Sequence, residues 1–310
     1  MKENNSLVFI VGPTAVGKSS VAFQLAKQIQ GEIVSCDSMQ IYREINIASA
    51  KPSLAERQAV AHHLIDCVSM KESYDVFQYF SDARSAIEDI LDRGRTPVVV
   101  GGTGLYMKIL LDGIFEGAGK NEELRQHLME EAELKGSKYL YAQLKSKDPE
   151  AAAKLHPNDL KRVVRALEVC LTEEQPISKL QKQKEEGIWG RYPIQIFGLN
   201  REREELYARV EARVDDMFQA GLVEEVKAIV DISLSETAKY LIGIKEVMAH
   251  LRGEYDLSTA KEKLKQNTRR FAKRQLTWFR GESRIQWINL TKDTKVEDIV
   301  SIIIKGMSKK

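Results

Sequence analysis

The octapeptide Gly12-Pro13-Thr14-Ala15-Val16-Gly17-Lys18-Ser19 constrains this chain more than any other stretch. It fits G-x-x-x-x-G-K-[ST] in full. The apolar run Leu7-Val8-Phe9-Ile10-Val11 precedes it and reads as a buried parallel strand, and Ser20–Ile29 follows with apolar residues at helical spacing. Strand, glycine loop and helix are the context in which this pattern binds linked phosphates. The glycines let backbone N–H groups curl around an oligophosphate, and the helix N-terminus adds partial positive charge. In such a site Lys18 reaches the outer phosphate and the Ser19 hydroxyl holds Mg²⁺. The motif gives diphosphate or triphosphate binding, not a reaction.

The other strand candidates of the first third, Glu32–Ser35 and Thr96–Val100, are likewise followed by turns and helical patterns, and Arg84–Arg93 reads as a helix stopped at Gly94. Alternating strands and helices predict an α/β fold, a P-loop NTPase-like parallel sheet. Ligands of such sheets gather at the carboxyl ends of the strands. The P-loop, Asp37 and Gly101-Gly102-Thr103 all stand at such ends. The segment 116–192 changes character: it is rich in Glu, Lys, Gln, Ala and Leu and reads as helices at Glu122–Leu134, Tyr139–Ser146, Glu150–Lys154, Leu160–Leu171 and Ile177–Glu186. The expectation is a catalytic core of residues 1–115 and 193–310 interrupted by a helical insertion domain. Beyond it come a strand at Pro193–Leu199, long helices at Arg201–Val230 and Lys261–Phe279, a strand at Arg284–Leu290 and a tail helix.

Composition narrows the function classes. A chain of 310 residues, 43% hydrophobic and 30% charged, is that of an ordinary folded protein. Its longest apolar stretches fall short of the ~18 residues that span a bilayer, and Met1–Asn5 does not resemble a signal peptide. Cys36, Cys67 and Cys170 are too scattered for a disulfide framework or a metal site. The expectation is a cytoplasmic protein without a membrane partner. The net charge of +2 conceals a basic stretch from Lys261 to Arg280, with eight cations and one acid. It is either a solvated helical face or a surface for anions or nucleic acid.

Three segments carry candidate chemistry. Asp37 follows the second strand within Ser35-Cys36-Asp37-Ser38-Met39-Gln40-Ile41-Tyr42. An acid there can help hold Mg²⁺ or accept a proton from the acceptor, or it can form an Asx turn or helix cap. No apolar strand ending in Asp offers a rival. In His156-Pro157-Asn158-Asp159-Leu160-Lys161-Arg162-Val163-Val164-Arg165, Asn158 or Asp159 would cap a helix whose first turns carry Lys161, Arg162 and Arg165. Cations there oppose the helix dipole, which a nearby phosphate or salt bridges to Glu168 and other acids would offset. In Thr268–Arg280, Arg270, Lys273 and Arg274 share a helical face while Phe271 and Trp278 lie on another. That is a packed amphipathic helix or a face tracking phosphates. His156 reads as structural, and His62-His63 as non-catalytic.

Taken together these segments resemble the tRNA dimethylallyltransferase (tRNA isopentenyltransferase) family. The blocks that carry the resemblance are GPTAVGKS at 12–19, SCDSMQIY around Asp37, Ala50-Lys51-Pro52, GGTGLY at 101–106, HPNDLKRVVRALEV at 156–169, REREELYARVEARVDDM at 201–217 and AKRQLTWFR at 272–280. They run in family order over nearly the whole chain. Gly243-Ile244 and Lys161 depart from the family's usual Gly-Tyr and Gln. The resemblance implies an enzyme that moves a dimethylallyl group from dimethylallyl diphosphate to the exocyclic amine of the adenosine just 3′ of the anticodon, in tRNAs reading codons that begin with U. It implies Asp37 as the base, Lys18 and Arg213 as charge-neutralising groups, and the P-loop as diphosphate site with Mg²⁺ on Ser19. Ser38, Met39 and Gln40 would line the pocket of the extruded base, with Thr103 and Arg125 near the RNA. Lys161, Arg162 and Arg165 would hold the anticodon arm of the tRNA partner, and Arg270, Lys273 and Arg274 its backbone. The protein is expected to act as a monomer.

Two other classes fit a P-loop. A small-molecule kinase would use ATP, with the insertion as a lid and Asp37 activating a hydroxyl. A nucleic-acid-stimulated ATPase needs a Walker B acid and a sensor residue, and neither is evident in the sequence.

Overall fold

The five residues of β1 (Leu7–Val11) are all buried, as they are in a parallel sheet covered on both faces. After the glycine loop, α1 (Lys18–Gln28) turns Val21, Ala22, Leu25 and Ala26 inward at the spacing of one helical face. Then come β2 (Glu32–Ser35), α2 (Leu54–Ala59), β3 (His62–His63), α3 (Val76–Asp92), β4 (Pro97–Gly101) and α4 (Gly104–Asp112). The computed structural model describes residues 6–115, 119, 121–183 and 185–308. The boundary expected at residue 116 and the segment Met1–Asn5 lie outside them.

The chain divides into two compact units, Met1–Leu111 with Ile188–Lys310, and Asp112–Gly187. The second begins where α4 ends. Gly113 has φ 84°, and a Cβ there would overlap the Glu185 carbonyl. The Glu185 N–H donates to Ile114 O at 2.8 Å, closing the unit's base. At its far end, Ile188 and Trp189 already belong to the first unit, their N–H groups donating to Leu110 and Leu111. The second unit contains α5 (Glu122–Lys135), α6 (Ser137–Lys147), α7 (Pro149–Ala153), α8 (Leu160–Thr172) and α9 (Ile177–Leu180). They pack Leu128, Leu140, Leu144, Val163, Leu167 and Val169 into their own core. Asp148 caps α7 through the Ala151 N–H and also accepts from the Ser178 N–H and hydroxyl at 2.8 and 2.7 Å.

The first unit resumes with β5 (Ile194–Arg201), α10 (Arg203–Gln219), α11 (Leu222–Lys227), α12 (Ile244–Leu251), α13 (Leu257–Arg280), β6 (Ile285–Leu290) and α14 (Val296–Met307). Its sheet is parallel throughout, in the order β3-β2-β4-β1-β5-β6. Phe9 pairs with Val99 on one side and Ile196 on the other. The core joins β1 and β4 residues such as Val8, Ile10 and Val98 to Leu25, Phe197, Leu206, Val210 and Ile303.

Several boundaries differ from the sequence expectation for local reasons. The helix expected at Arg84–Arg93 begins at Val76, because Asp75 accepts from the Phe77 and Gln78 N–H groups and Gln78 returns a bond to Asp75. The single helix expected over Arg201–Val230 breaks at Gly221, whose φ of 98° no helical residue adopts. α13 starts at Leu257, where Asp256 caps it through the Thr259 N–H. No helix among the described residues is long and apolar enough to cross a membrane.

Candidate active site

β4 lies between β1 and β2, so the loops after these three strands meet at one edge of the sheet, as the switch-point rule requires. The approach of β4 to β2 is close. A Cβ on Gly101 would overlap the Cys36 backbone, and the Thr103 N–H donates to Cys36 O at 3.1 Å.

The P-loop turns through Gly12 at φ 143° and Ala15 at φ 62°, and a Cβ on Gly12 would come within 2.6 Å of Leu199 O. Gly17, at φ 112°, opens α1 without a side-chain cap or an acid in the first turn. The orphan N–H groups of that turn are left for an anion. Cations take three of the loop's carbonyls: Lys18 Nζ bonds Pro13 O at 2.7 Å, Arg209 Nε bonds Ala15 O at 2.8 Å and Arg201 Nε bonds Val16 O at 3.2 Å. Arg213, one helical turn beyond Arg209 on α10, donates to the Thr14 hydroxyl at 3.1 Å. Arg201 and Arg209 were not anticipated from the sequence. The Arg209/Arg213 spacing of four on one helix was a signal that could have found the second.

Asp37 forms the Asx turn that the sequence allowed, its Oδ1 accepting from the Met39 N–H at 2.9 Å. Its other oxygen makes no hydrogen bond among the described residues, and the side chain lines the cavity. That cavity, of about 470 Å³, is lined by Thr14, Lys18, Ser19, Asp37, Ser38, Met39, Gln40, Thr103 and Arg213, and from α13 by Arg270, Phe271, Arg274 and Gln275. The Thr103 hydroxyl accepts from the Ser38 N–H at 3.1 Å, and Ser35 Oγ donates to Gln40 Oε1 at 2.8 Å. The pocket wall is thus fixed by bonds between β2- and β4-derived loops.

The electrostatics follow from burial. Desolvation pushes the Lys18 ammonium down to about 8, with Asp37 opposing and Arg213 adding to the shift. Burial also lowers Arg213, against the pull of Asp37. The neighbouring Cys36 thiol is raised to about 12 by burial and is inert. Two partly buried cations therefore face the cavity, and a diphosphate would relieve the desolvation they suffer.

The basic helix α13 sorts its charges. Lys261 and Lys265 pair with Asp215 at 2.8 and 2.9 Å, and Arg269 with Glu211 at 2.5 Å, so these cations neutralise α10. Arg270, Lys273 and Arg274 make no ion pair among the described residues and line a shallow groove with Thr277 and Trp278. Trp278 packs against Gly104, where any Cβ would strike the indole. The helix is thus packed through Ala272, Gln275 and Phe279 on one face and leaves these three cations open on another. Gln275 was missed. It is 7% exposed, and it bonds both the P-loop and the β4 loop.

The cations of the second unit are more occupied than their pattern suggested. Glu168, fully buried, accepts at 2.9 Å from Arg125 Nε, Arg165 NH1 and the Asn121 N–H. Arg162 pairs with Asp159 at 3.3 Å, and Asp159 caps α8. Salt bridging is what the unit displays for Arg162 and Arg165. Lys161 is exposed and has no ion pair among the described residues.

A family model described as IPP transferase matches residues 40–282. The chain belongs to the IPP transferase family. The matched span includes the GGTGLY, HPND and AKRQLTWFR blocks and starts just after Asp37; full-length relatives extend over the P-loop. The tRNA dimethylallyltransferase of Halothermothrix orenii is 46% identical over 93% of this chain and 89% of its own length. That of Alkaliphilus metalliredigens is 44% identical over 97% and 96%. Among solved IPP transferases, the full-length tRNA isopentenylpyrophosphate transferase of Bacillus halodurans superposes with a TM-score of 0.71 at 37% identity, covering 99% of this chain and 98% of its own. A eukaryotic dimethylallyltransferase acting on tRNA gives a TM-score of 0.81 at 28% identity, over 99% of this chain and 80% of that one.

Proposed function

We propose that this IPP transferase moves a dimethylallyl group from dimethylallyl diphosphate to the exocyclic amine of the adenosine 3′ of the anticodon, in tRNAs that read codons beginning with U. The observation that carries the reading is one cavity holding both a P-loop with two partly buried cations and an acid, Asp37, with one oxygen unengaged among the described residues. The kinase alternative is not favoured, since relatives at 44–46% identity bear the name tRNA dimethylallyltransferase.

In this reading the bond between the allylic carbon and the diphosphate oxygen breaks as the amine nitrogen bonds that carbon. The amine is a poor nucleophile because its lone pair is delocalised into the purine. Asp37 takes its proton, which general-base catalysis makes worth about 10²–10⁴ in rate. Lys18 and Arg213 receive the charge left on the diphosphate, preorganised by their contacts with Pro13 and Thr14. Ser38, Met39, Gln40 and Thr103 shape the pocket for a base taken out of its stack. Ser19, exposed at the head of α1 and lining the cavity, offers a hard oxygen suited to Mg²⁺. No group of three or more His, Cys, Asp or Glu side chains able to hold a metal exists among the described residues, which fits a cation held largely by phosphate and water. Bound there, Mg²⁺ would offset charge on the diphosphate.

In this reading Arg270, Lys273 and Arg274 meet the RNA backbone, and Lys161 leads the contacts of the second unit with the anticodon arm, together with Arg162, Arg165 and Arg125. We take the enzyme to act as a monomer, and a tRNA substrate suits the cytoplasm. Incubation of unmodified tRNA with labelled dimethylallyl diphosphate, followed by nucleoside analysis, tests the reading. Label in a modified adenosine is expected; label transferred only from γ-labelled ATP would replace the reading with the kinase.

A further inference from the structure

The segment between β2 and α2 supplies Ala48, Ser49 and Ala50 to the cavity wall, yet it contains no regular element that would hold it in place. Three of its successive N–H groups converge on one carboxylate. Glu225 Oε2 accepts from Asn46 at 2.6 Å and Ile47 at 2.8 Å, and Oε1 accepts from Ala48 at 2.8 Å. Such a run of N–H groups is an anion-binding concavity, and here helix α11 fills it from outside the cavity. The segment leaves it through Ala50, a non-glycine residue at φ 45°, a conformation that persists only where its surroundings over-determine it. Gln40 Nε2 reaches Ala50 O at 3.5 Å, whereas no bond joins residues 46–50 to the P-loop among the described residues. Across the cavity rim, Ala48 Cβ would lie 3.7 Å from a Cβ on Gly243.

We infer that Glu225 is a positioning residue for the acceptor nucleotide: its carboxylate sets the Asn46–Ala50 wall against which the extruded base docks, and it leaves the diphosphate site untouched. The inference rests on the function proposed above. A carboxylate suits the task because it is acceptor-only at both oxygens. Glutamine would keep one acceptor but aim its NH₂ at an N–H donor. Alanine would free the three N–H groups.

The test is steady-state transfer by wild type, Glu225→Ala and Glu225→Gln, varying tRNA and dimethylallyl diphosphate separately, with a melting curve for each. Because small misplacements in a site are costly, Glu225→Ala is expected to raise KM for tRNA about tenfold and Glu225→Gln about threefold, with KM for dimethylallyl diphosphate held within about twofold. A merely structural role would move both constants together or neither. Unchanged tRNA KM, or a parallel rise in both, overturns the inference while wild-type transfer leaves the proposed function standing. If Glu225→Ala shows no melting transition, Glu225→Gln decides by the same criterion. A wild type that transfers nothing overturns the functional reading itself, and the inference with it.

Discussion

The Thr14 N–H donates to Gln275 Oε1 at 2.8 Å across 261 residues of sequence. The same side chain donates from Nε2 to Gly102 O at 2.9 Å. One amide therefore ties the P-loop to the loop after β4, and only a side chain with a donor at one end and an acceptor at the other can do so. A Cβ on Gly102 would fall on that amide, so the glycine is required by the close approach.

Gln275→Glu should damage the site more than its shape change suggests. It replaces the donor facing Gly102 O with an acceptor, and leaving a buried carbonyl unpaired costs about 1–3 kcal/mol. We expect kcat/KM to fall about tenfold or more, with a lower melting temperature. Wild-type kinetics in Gln275→Glu would show that the bridge does not position the P-loop.

Asp37→Asn should keep the Asx turn, because its amide oxygen can still accept from the Met39 N–H. It removes the basic oxygen. We expect kcat to drop by about 10²–10⁴ while KM for dimethylallyl diphosphate stays within about twofold. Retention of more than about a tenth of kcat would eliminate Asp37 as base.

Lys18 gives a pH signature with two opposite slopes. Its folded value of about 8 lies below the ordinary 10.5. The charged form, to which the proposed function assigns the diphosphate, is therefore lost as pH rises through about 8, and kcat/KM for the donor should fall there. Stability runs the other way. Between about 8 and 10.5 the unfolded chain holds the proton more tightly, so this group's contribution to stability rises with pH in that window. The melting temperature of wild type relative to Lys18→Met, followed across the window without ligand, checks the second slope. An alkaline limb that persists unmoved in Lys18→Arg would assign it to another group.

The second unit allows a separation that its charge pattern alone did not. Lys161→Ala should reduce the log–log salt slope of tRNA binding by somewhat under one unit, near the ~0.7–0.9 of a released phosphate contact, with the melting temperature unchanged. Arg165→Ala should lower the melting temperature, since buried Glu168 loses a partner. If the triple Lys161, Arg162 and Arg165 variant to Ala leaves the slope intact, these residues do not grip RNA.

How legible all this was in the sequence depended on the range of the interaction. β1, the P-loop and the helix after it are set by neighbours in sequence, and their reading needed only periodicity and glycine placement. β3 is two histidines, His62 and His63, paired with Ile33 and Val34. Nothing local marks them as a strand, because the sheet edge defines it. Gly221 did carry a local signal, a glycine at a helix end, which the long apolar pattern of α10 and α11 concealed. Gln275 could not be read at all. Its partners are distant in sequence, and a lone amide on a basic helix has no pattern. The excess of cations at the start of α8 was legible, but Asp159 and Glu168 balance Arg162 and Arg165 only in three dimensions.

The sheet order has a consequence for synthesis of the enzyme. β1 does not pair with β2; the two become neighbours only when β4 inserts between them. The Thr14 anchor comes later still, with Gln275 on α13. A growing chain on the ribosome therefore carries the lysine and the acid of its cavity long before they face one another. A cavity lined from Thr14 through Gln275 is complete only when nearly the whole polypeptide has been made.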